Sequence, residues 1–264
     1  GGLEHKNSTT LSVNRWTYGG ANYVKFLSLV AHEYFHLWNV KRIRPFELGP
    51  FDYNQENYTD LLWVMEGFTS YYDELLLLRS GYYSQSEFIS KLESSINYVE
   101  GSVGSRVQPV AHASYDAWIK AYRPNENSAN TTMTYYTRGS ILAAFLDVMI
   151  IKNSKGQKGL DHFLQALYQK FYLNQNRGFT SSEFKTELEG FVGQNLDSFY
   201  DKYIDGTDIP AYDDLFSEMG VQVTDVTATN ADFGATLRSS GGNAVISKIR
   251  SNSAAEDAGL SVND

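Results

Sequence analysis

His32 and His36 stand four residues apart in the stretch "LVAHEYFHLW", with Glu33 beside the first of them. On a helix that spacing sets both imidazoles on one face, a single turn apart, where their nitrogens can converge on one metal ion. Glu33 lies about 100° round the helix, so its carboxylate reaches a water held by the metal rather than the metal itself. The chemistry on offer is metal-assisted hydrolysis with Glu33 as general base. The competing reading is a pair of ordinary histidines on a polar stripe.

Catalytic zinc takes three protein ligands and keeps a fourth place for water, so one more ligand is required. In "LLWVMEGFTSYYDELLLL", residues 61–78, Glu66 is set among Leu62, Trp63, Met65 and Phe68 on what reads as a buried helix. A carboxylate there is costly unless a cation meets it, whether a metal or an arginine. Glu47 and Glu56 lie in the loop-like segment between the two stretches and would orient a ligand less firmly. His5, His112 and His162 have no spacing argument behind them, and His162 reads as a helix-surface residue.

These groups need rigid supports. Phe26, Leu29, Val30 and Leu37 recur at helical spacing around the histidine pair, which predicts a core-packed helix over 21–39. Further helices are expected at 59–79, 138–152, 160–173 and 196–204, with Gly81 as a stop after the first of these. "SQSE" at 84–87 and "TSSE" at 180–183 fit the capping box and predict helix starts near 85 and 181. Residues 101–135, rich in Gly, Ser, Asn and Pro, read as a long loop. After Tyr212 there is no further Tyr or Trp. Short alternating runs, "GVQVTDV" and "NAVISKI", then predict a β-rich module beginning near 215.

Composition narrows the function classes. The 264 residues are 42% hydrophobic, enough for a sizeable core, and carry a net charge of −9 that disfavours nucleic acid or an anionic membrane as partner. No cysteine is present, so disulfides and thiolate chemistry are excluded while the compartment stays open between cytoplasm and periplasm. No apolar run reaches the eighteen or more residues of a membrane span, and no signal peptide opens the chain. With no initiator Met and an abrupt end at "AGLSVND", the chain reads as a fragment whose targeting segment lies upstream.

"HEYFHLWNVKRIRP" followed by "LLWVMEGFTSYY" resembles the glycyl aminopeptidase family of zinc peptidases, gluzincin relatives of aminopeptidase N with a thermolysin-like catalytic domain. The resemblance runs from Gly1 to about Tyr212. It implies one zinc per chain held by His32, His36 and Glu66, with Glu33 as general base. "YYTRG" at 135–139 resembles the Y-x-K-G signature of those relatives, which implies that Tyr136 hydrogen-bonds the oxyanion; Arg138 replaces the lysine there. "GGLEH" resembles the glycine-rich strand whose glutamate holds a substrate's free α-amine, which makes Glu4 the candidate. The final stretch, with "FGA" at 233–235 and "SAAEDAGLSVND", resembles the first part of a PDZ domain, cut short before its later strands.

The resulting expectation is a mainly α catalytic domain over 1–214, thermolysin-like and lacking its N-terminal part, followed by a truncated β-rich PDZ-like module over 215–264. Its substrates would be peptides, and the complete PDZ domain would take peptide C-termini. The expected activity is removal of small N-terminal residues, Gly or Ala. The alternatives are a zinc endopeptidase and a PDZ-recruited peptide-binding protein with a vestigial metal site.

Overall fold

The computed structural model describes residues 1–226 and 230–264. The chain opens with an antiparallel pair, β1 (Gly2–Glu4) and β2 (Thr9–Leu11), in which Glu4 faces Thr9. The helices α1 (Ala21–Phe35), α2 (Leu62–Met65), α3 (Gly67–Arg79) and α4 (Gln85–Glu100) follow. After them come α5 (Val110–Tyr115), α6 (Ser128–Thr131), α7 (Tyr135–Asn153), α8 (Leu160–Leu167), α9 (Ser181–Val192), α10 (Asp197–Phe199) and α11 (Tyr212–Phe216). A second antiparallel pair, β3 (Ala235–Ser240) and β4 (Asn243–Ile249), and the short α12 (Ala254–Asp257) close the described chain. The architecture is mainly α. No helix among the described residues is long and apolar enough to cross a membrane.

The core is built round α7, where Ile141, Leu142, Ala143, Ala144, Phe145, Leu146, Val148 and Ile150 are all buried. A helix apolar on every side belongs inside, and α2, α3, α4, α8 and α9 pack around it. Both capping boxes form. Ser84 Oγ accepts from the Glu87 N–H at 3.2 Å while Glu87 Oε2 accepts from the Ser84 N–H at 2.8 Å, and Thr180 and Glu183 repeat the exchange. Gly81 follows α3 at φ 77°, a left-handed position that suits glycine.

Four expectations need correction. The helix predicted over 21–39 ends at Phe35, and the chain then turns, with the Ile43 N–H returning to the Trp38 carbonyl at 2.7 Å. Its apolar positions Phe26, Leu29, Val30 and Leu37 are only half-buried, because α1 meets α3 and the first hairpin along one side. The helix predicted over 59–79 is two helices joined at Glu66. Residues 101–135 are not a plain loop: α5 and α6 lie within them, Val110, Ala111, Ala113 and Met133 enter the core, and Ser114 Oγ accepts from the Trp63 N–H at 3.0 Å. Gly104, Ser105, Gln108 and Ser114 mark tight packing there, while 121–127 stay exposed.

The fourth correction concerns the C-terminal stretch. "NAVISKI" forms β4, but residues 220–226 form no strand, since alternation provides a face and not a partner. Asn130 anchors this part of the chain to α6, donating to the Ile249 carbonyl at 2.9 Å and accepting from the Ser251 N–H at 3.1 Å.

Candidate metal centre

The last turn of α1 and the α2–α3 junction bring His32, His36 and Glu66 together, with donor atoms within 4.8 Å of one another. Glu66 Oε2 lies 3.2 Å from Nε2 of each histidine. Ligands bonded to one tetrahedral zinc at about 2.0–2.1 Å stand about 3.3 Å apart, so both distances from Glu66 match that edge length.

The other ring nitrogens are committed. His32 Nδ1 is 2.9 Å from Asp73 Oδ2, and His36 Nδ1 is 2.8 Å from the Asn39 carbonyl oxygen. A carbonyl only accepts, so His36 Nδ1 carries the proton, and a neutral ring then presents the Nε2 lone pair to Glu66. The same tautomer follows at His32 from the Asp73 carboxylate. Two lone pairs facing one carboxylate repel unless a cation lies between them, either a proton on each ring or one metal ion.

The electrostatics say the same. Burial alone would lower the pKa of His32, yet its hydrogen bonds to Asp73 and Glu66 outweigh that and hold it up to about 10. His36 is displaced upward too, against its burial, chiefly by Glu66. Burial alone would raise Glu66, and the two imidazoles instead bring it down to about 2. The pocket is built to hold positive charge.

Glu33, on the same helix, is buried, and its Oε2 has no hydrogen-bond partner. Burial raises its pKa, and the nearby Glu4 and Glu66 carboxylates add to that against the two histidines. Gly2 of β1 presses on it so closely that a Cβ at position 2 would overlap the carboxylate. β1 thereby also delivers Glu4, whose carboxylate oxygen lies within 4.8 Å of the donor atoms of Glu33 and His36. Glu4 is paired with Lys41, Nζ to Oε1, at 2.9 Å.

Tyr136, in the first turn of α7, lies with its ring centroid 6.2 Å from that of His32. Burial and then the charge of Glu66 drive its pKa well above the ordinary value, so at neutral pH it is a donor. Tyr135 stacks on it, and Tyr122 Oη is 3.5 Å from the Tyr136 hydroxyl. Arg138 turns away from the site into the core and donates to the Asp208 carbonyl at 2.7 Å. His5, His112, His162, Glu47 and Glu56 are exposed and remain apart from the cluster.

Several supporting residues were not singled out in the sequence. Asp73 lies seven residues after Glu66, two turns along the same helical face, and the acid pair opening "DELLLL" was the available signal. Asn39 is fully buried, and its Nδ2 donates to the Val64 and Met65 carbonyls and to Thr69 Oγ1, tying the turn after α1 to the Glu66 junction. Lys41 had no local signal, and Gly2 was marked only as part of the glycine-rich "GGLEH".

Residues 25–142 match the model of the M61 glycyl aminopeptidase family. The matched span contains His32, Glu33, His36, Glu66 and Tyr136. The chain is also similar to a crystal structure of an aminopeptidase N family protein from Idiomarina loihiensis, with 28% identity and a TM-score of 0.86, over 100% of this chain and 48% of that one. The chain thus spans about half the length of that relative. No curated protein sequence matches it.

Proposed function

We infer that this is the catalytic part of a zinc-dependent peptidase, an aminopeptidase releasing small N-terminal residues such as Gly or Ala. The observation that carries the reading is the pair of Nε2 atoms facing Glu66 Oε2 at 3.2 Å with both Nδ1 atoms already committed. The family match over 25–142 and the likeness to an aminopeptidase N family protein support the peptidase class.

The donor set suits zinc, which His32, His36 and Glu66 would hold; when bound, it supplies Lewis-acid polarisation of a carbonyl and acidifies water. The rest belongs to the chain. Glu33, buried and with a free Oε2, takes a proton from the attacking water and returns it to the leaving nitrogen as the C–N bond breaks. Tyr136 donates its hydroxyl proton in a hydrogen bond to the oxygen that gains charge in the tetrahedral intermediate. Glu4 receives the α-ammonium and so places the first peptide bond beside Glu33. No covalent intermediate is needed.

One observation favours an endopeptidase as the second reading: Glu4 already has a cation, Lys41. Free and N-acetylated short peptides separate the two. The full-length protein is expected to cleave Gly- and Ala-initiated peptides from the free N-terminus and to leave acetylated ones intact, with Glu4→Ala losing most activity while keeping its zinc. Comparable cleavage of both sets at internal bonds would select the endopeptidase.

We assign residues 1–214 to this catalytic unit and 215–264 to the start of a PDZ-like module, supported by the β3–β4 hairpin and the α12 turn capped by Ser253. The Gly234 N–H, in the loop expected to receive a carboxylate, already donates to Asp232 Oδ1 at 2.8 Å. Capture of peptide C-termini is accordingly assigned to the complete module.

A further inference from the structure

Glu4 is not a free carboxylate. Lys41 Nζ stands 2.9 Å from Glu4 Oε1, with the two side chains only 16% and 21% exposed. The pair borders the reacting centre, since Glu4 lies within 4.8 Å of the donor atoms of Glu33 and His36. Lys41 arrives from the turn after α1, where its N–H meets the His36 carbonyl at 3.2 Å. The preceding Val40 is held at φ 131°, a conformation that a β-branched residue adopts only under strain. Asn39, on the other side of Val40, offers its carbonyl to His36. One strained residue thus separates the group that orients a histidine from the group that occupies Glu4.

We propose that Lys41 is a resident ammonium that the peptide's α-ammonium must replace on Glu4, so that preference for a free N-terminus is set by exchange between two ammonium groups. The proposal rests on Glu4 being the amine anchor. Both groups are ammonium ions with three donors and one positive charge, and both satisfy a carboxylate in the same way. Held together on one partly desolvated carboxylate they repel, so each excludes the other. Lys41 Nζ already lies over the face of Phe51 as well, 5.8 Å from its ring centroid, a contact it can keep or tighten on leaving Glu4. An acetylated peptide brings no cation and leaves Lys41 where it is. Lys41 is in this account a specificity residue, which also offsets the charge of Glu4 beside Glu33 and Glu66.

The test uses zinc-loaded full-length protein and its Lys41→Met, Lys41→Arg and Glu4→Gln variants. KM and kcat are measured for free and N-acetylated Ala peptides, and binding of alaninamide is followed by calorimetry. Removing the competitor in Lys41→Met should lower KM and the alaninamide Kd about tenfold, with the effect in KM rather than kcat. Lys41→Arg should stay near the parent, and acetylated peptides should not follow the trend. A raised or unchanged KM in Lys41→Met overturns the exchange, because Lys41 would then merely hold Glu4 in place. Melting temperature and zinc content check each fold, and Lys41→Gln replaces Lys41→Met if the latter does not fold. If the parent cleaves acetylated peptides equally well and Glu4→Gln changes nothing, the amine-anchor reading itself fails. A discriminating parent with an unaffected Lys41→Met removes the exchange alone.

Discussion

Gly139 of α7 lies against Gly67 of α3 so closely that a Cβ on Gly67 would overlap the Gly139 backbone, and one on Gly139 would overlap the Trp63 carbonyl. This contact brings the first turn of α7 down onto the Glu66 junction and sets Tyr136 beside His32. Gly139→Ala must push the helices apart, and overpacking of this kind costs about 1–3 kcal/mol. Urea unfolding should show that loss, and turnover should fall because Tyr136 moves with α7. Parent-like stability in Gly139→Ala would mean the crossing is loose.

Metal content separates ligands from base. His32→Ala and Glu66→Ala should lose stoichiometric zinc, while Glu33→Gln should keep it and lose turnover, since only the proton acceptor is gone. Asp73→Ala leaves the ligands in place but frees His32 Nδ1, held at 2.9 Å in the parent. Zinc affinity should then weaken about 10–100-fold, as when other outer partners of ligating histidines are removed. Elemental analysis and competition with a chelator read both, and normal turnover in Glu33→Gln would end the hydrolytic assignment.

Tyr136→Phe deletes one hydroxyl. With zinc and melting temperature unchanged, loss of a single oxyanion donor should cost about 2.7–4 kcal/mol, on the order of a hundredfold to a thousandfold in kcat. A loss under about threefold would return Tyr136 to a structural role beside Tyr135 and Tyr122.

The pH dependence of the chelator-stripped protein follows from its histidine clamp. His32 rises from 6.5 to about 10 on folding, so its contribution is complete below pH 6.5 and is lost as pH climbs through 10. Glu66 falls from 4.5 to about 2, so its contribution is complete above pH 4.5 and is lost as pH drops through 2. Asp73, raised by burial against His32 from 3.8 to about 6, costs stability progressively between those two values and by a constant amount above them, so it leaves the change between pH 6 and 9.5 to His32. The stripped protein should therefore melt at a lower temperature at pH 9.5 than at pH 6. Zinc affinity should move the other way, rising with pH as the ring protons leave. A stripped protein that gains stability between pH 6 and 9.5 would contradict the clamp.

The histidine pair, its neighbouring glutamate and the embedded Glu66 were legible because helical periodicity converts spacing into direction. Capping boxes at Ser84 and Thr180 were legible for a similar reason, since cap and partner lie three residues apart. The segment 101–135 and the run 220–226 were misread because local composition reports preference and not the neighbour that will accept it.

What spacing pointed to, then, was a set of candidate ligands and a candidate base carried on helices, groups that sit within a few turns of one another. Folding settled which nitrogen each histidine turns inward, through Asp73 and the Asn39 carbonyl. It also settled the approach of Gly2 and Glu4 to Glu33, the seat of Tyr136, and the Lys41 cation on Glu4. These contacts join β1 to α1 and α7 to the α2–α3 junction across long stretches of chain. Their distances depend on how closely helices and strands pack, and glycine contacts such as Gly67 with Gly139 set that closeness only after the elements meet.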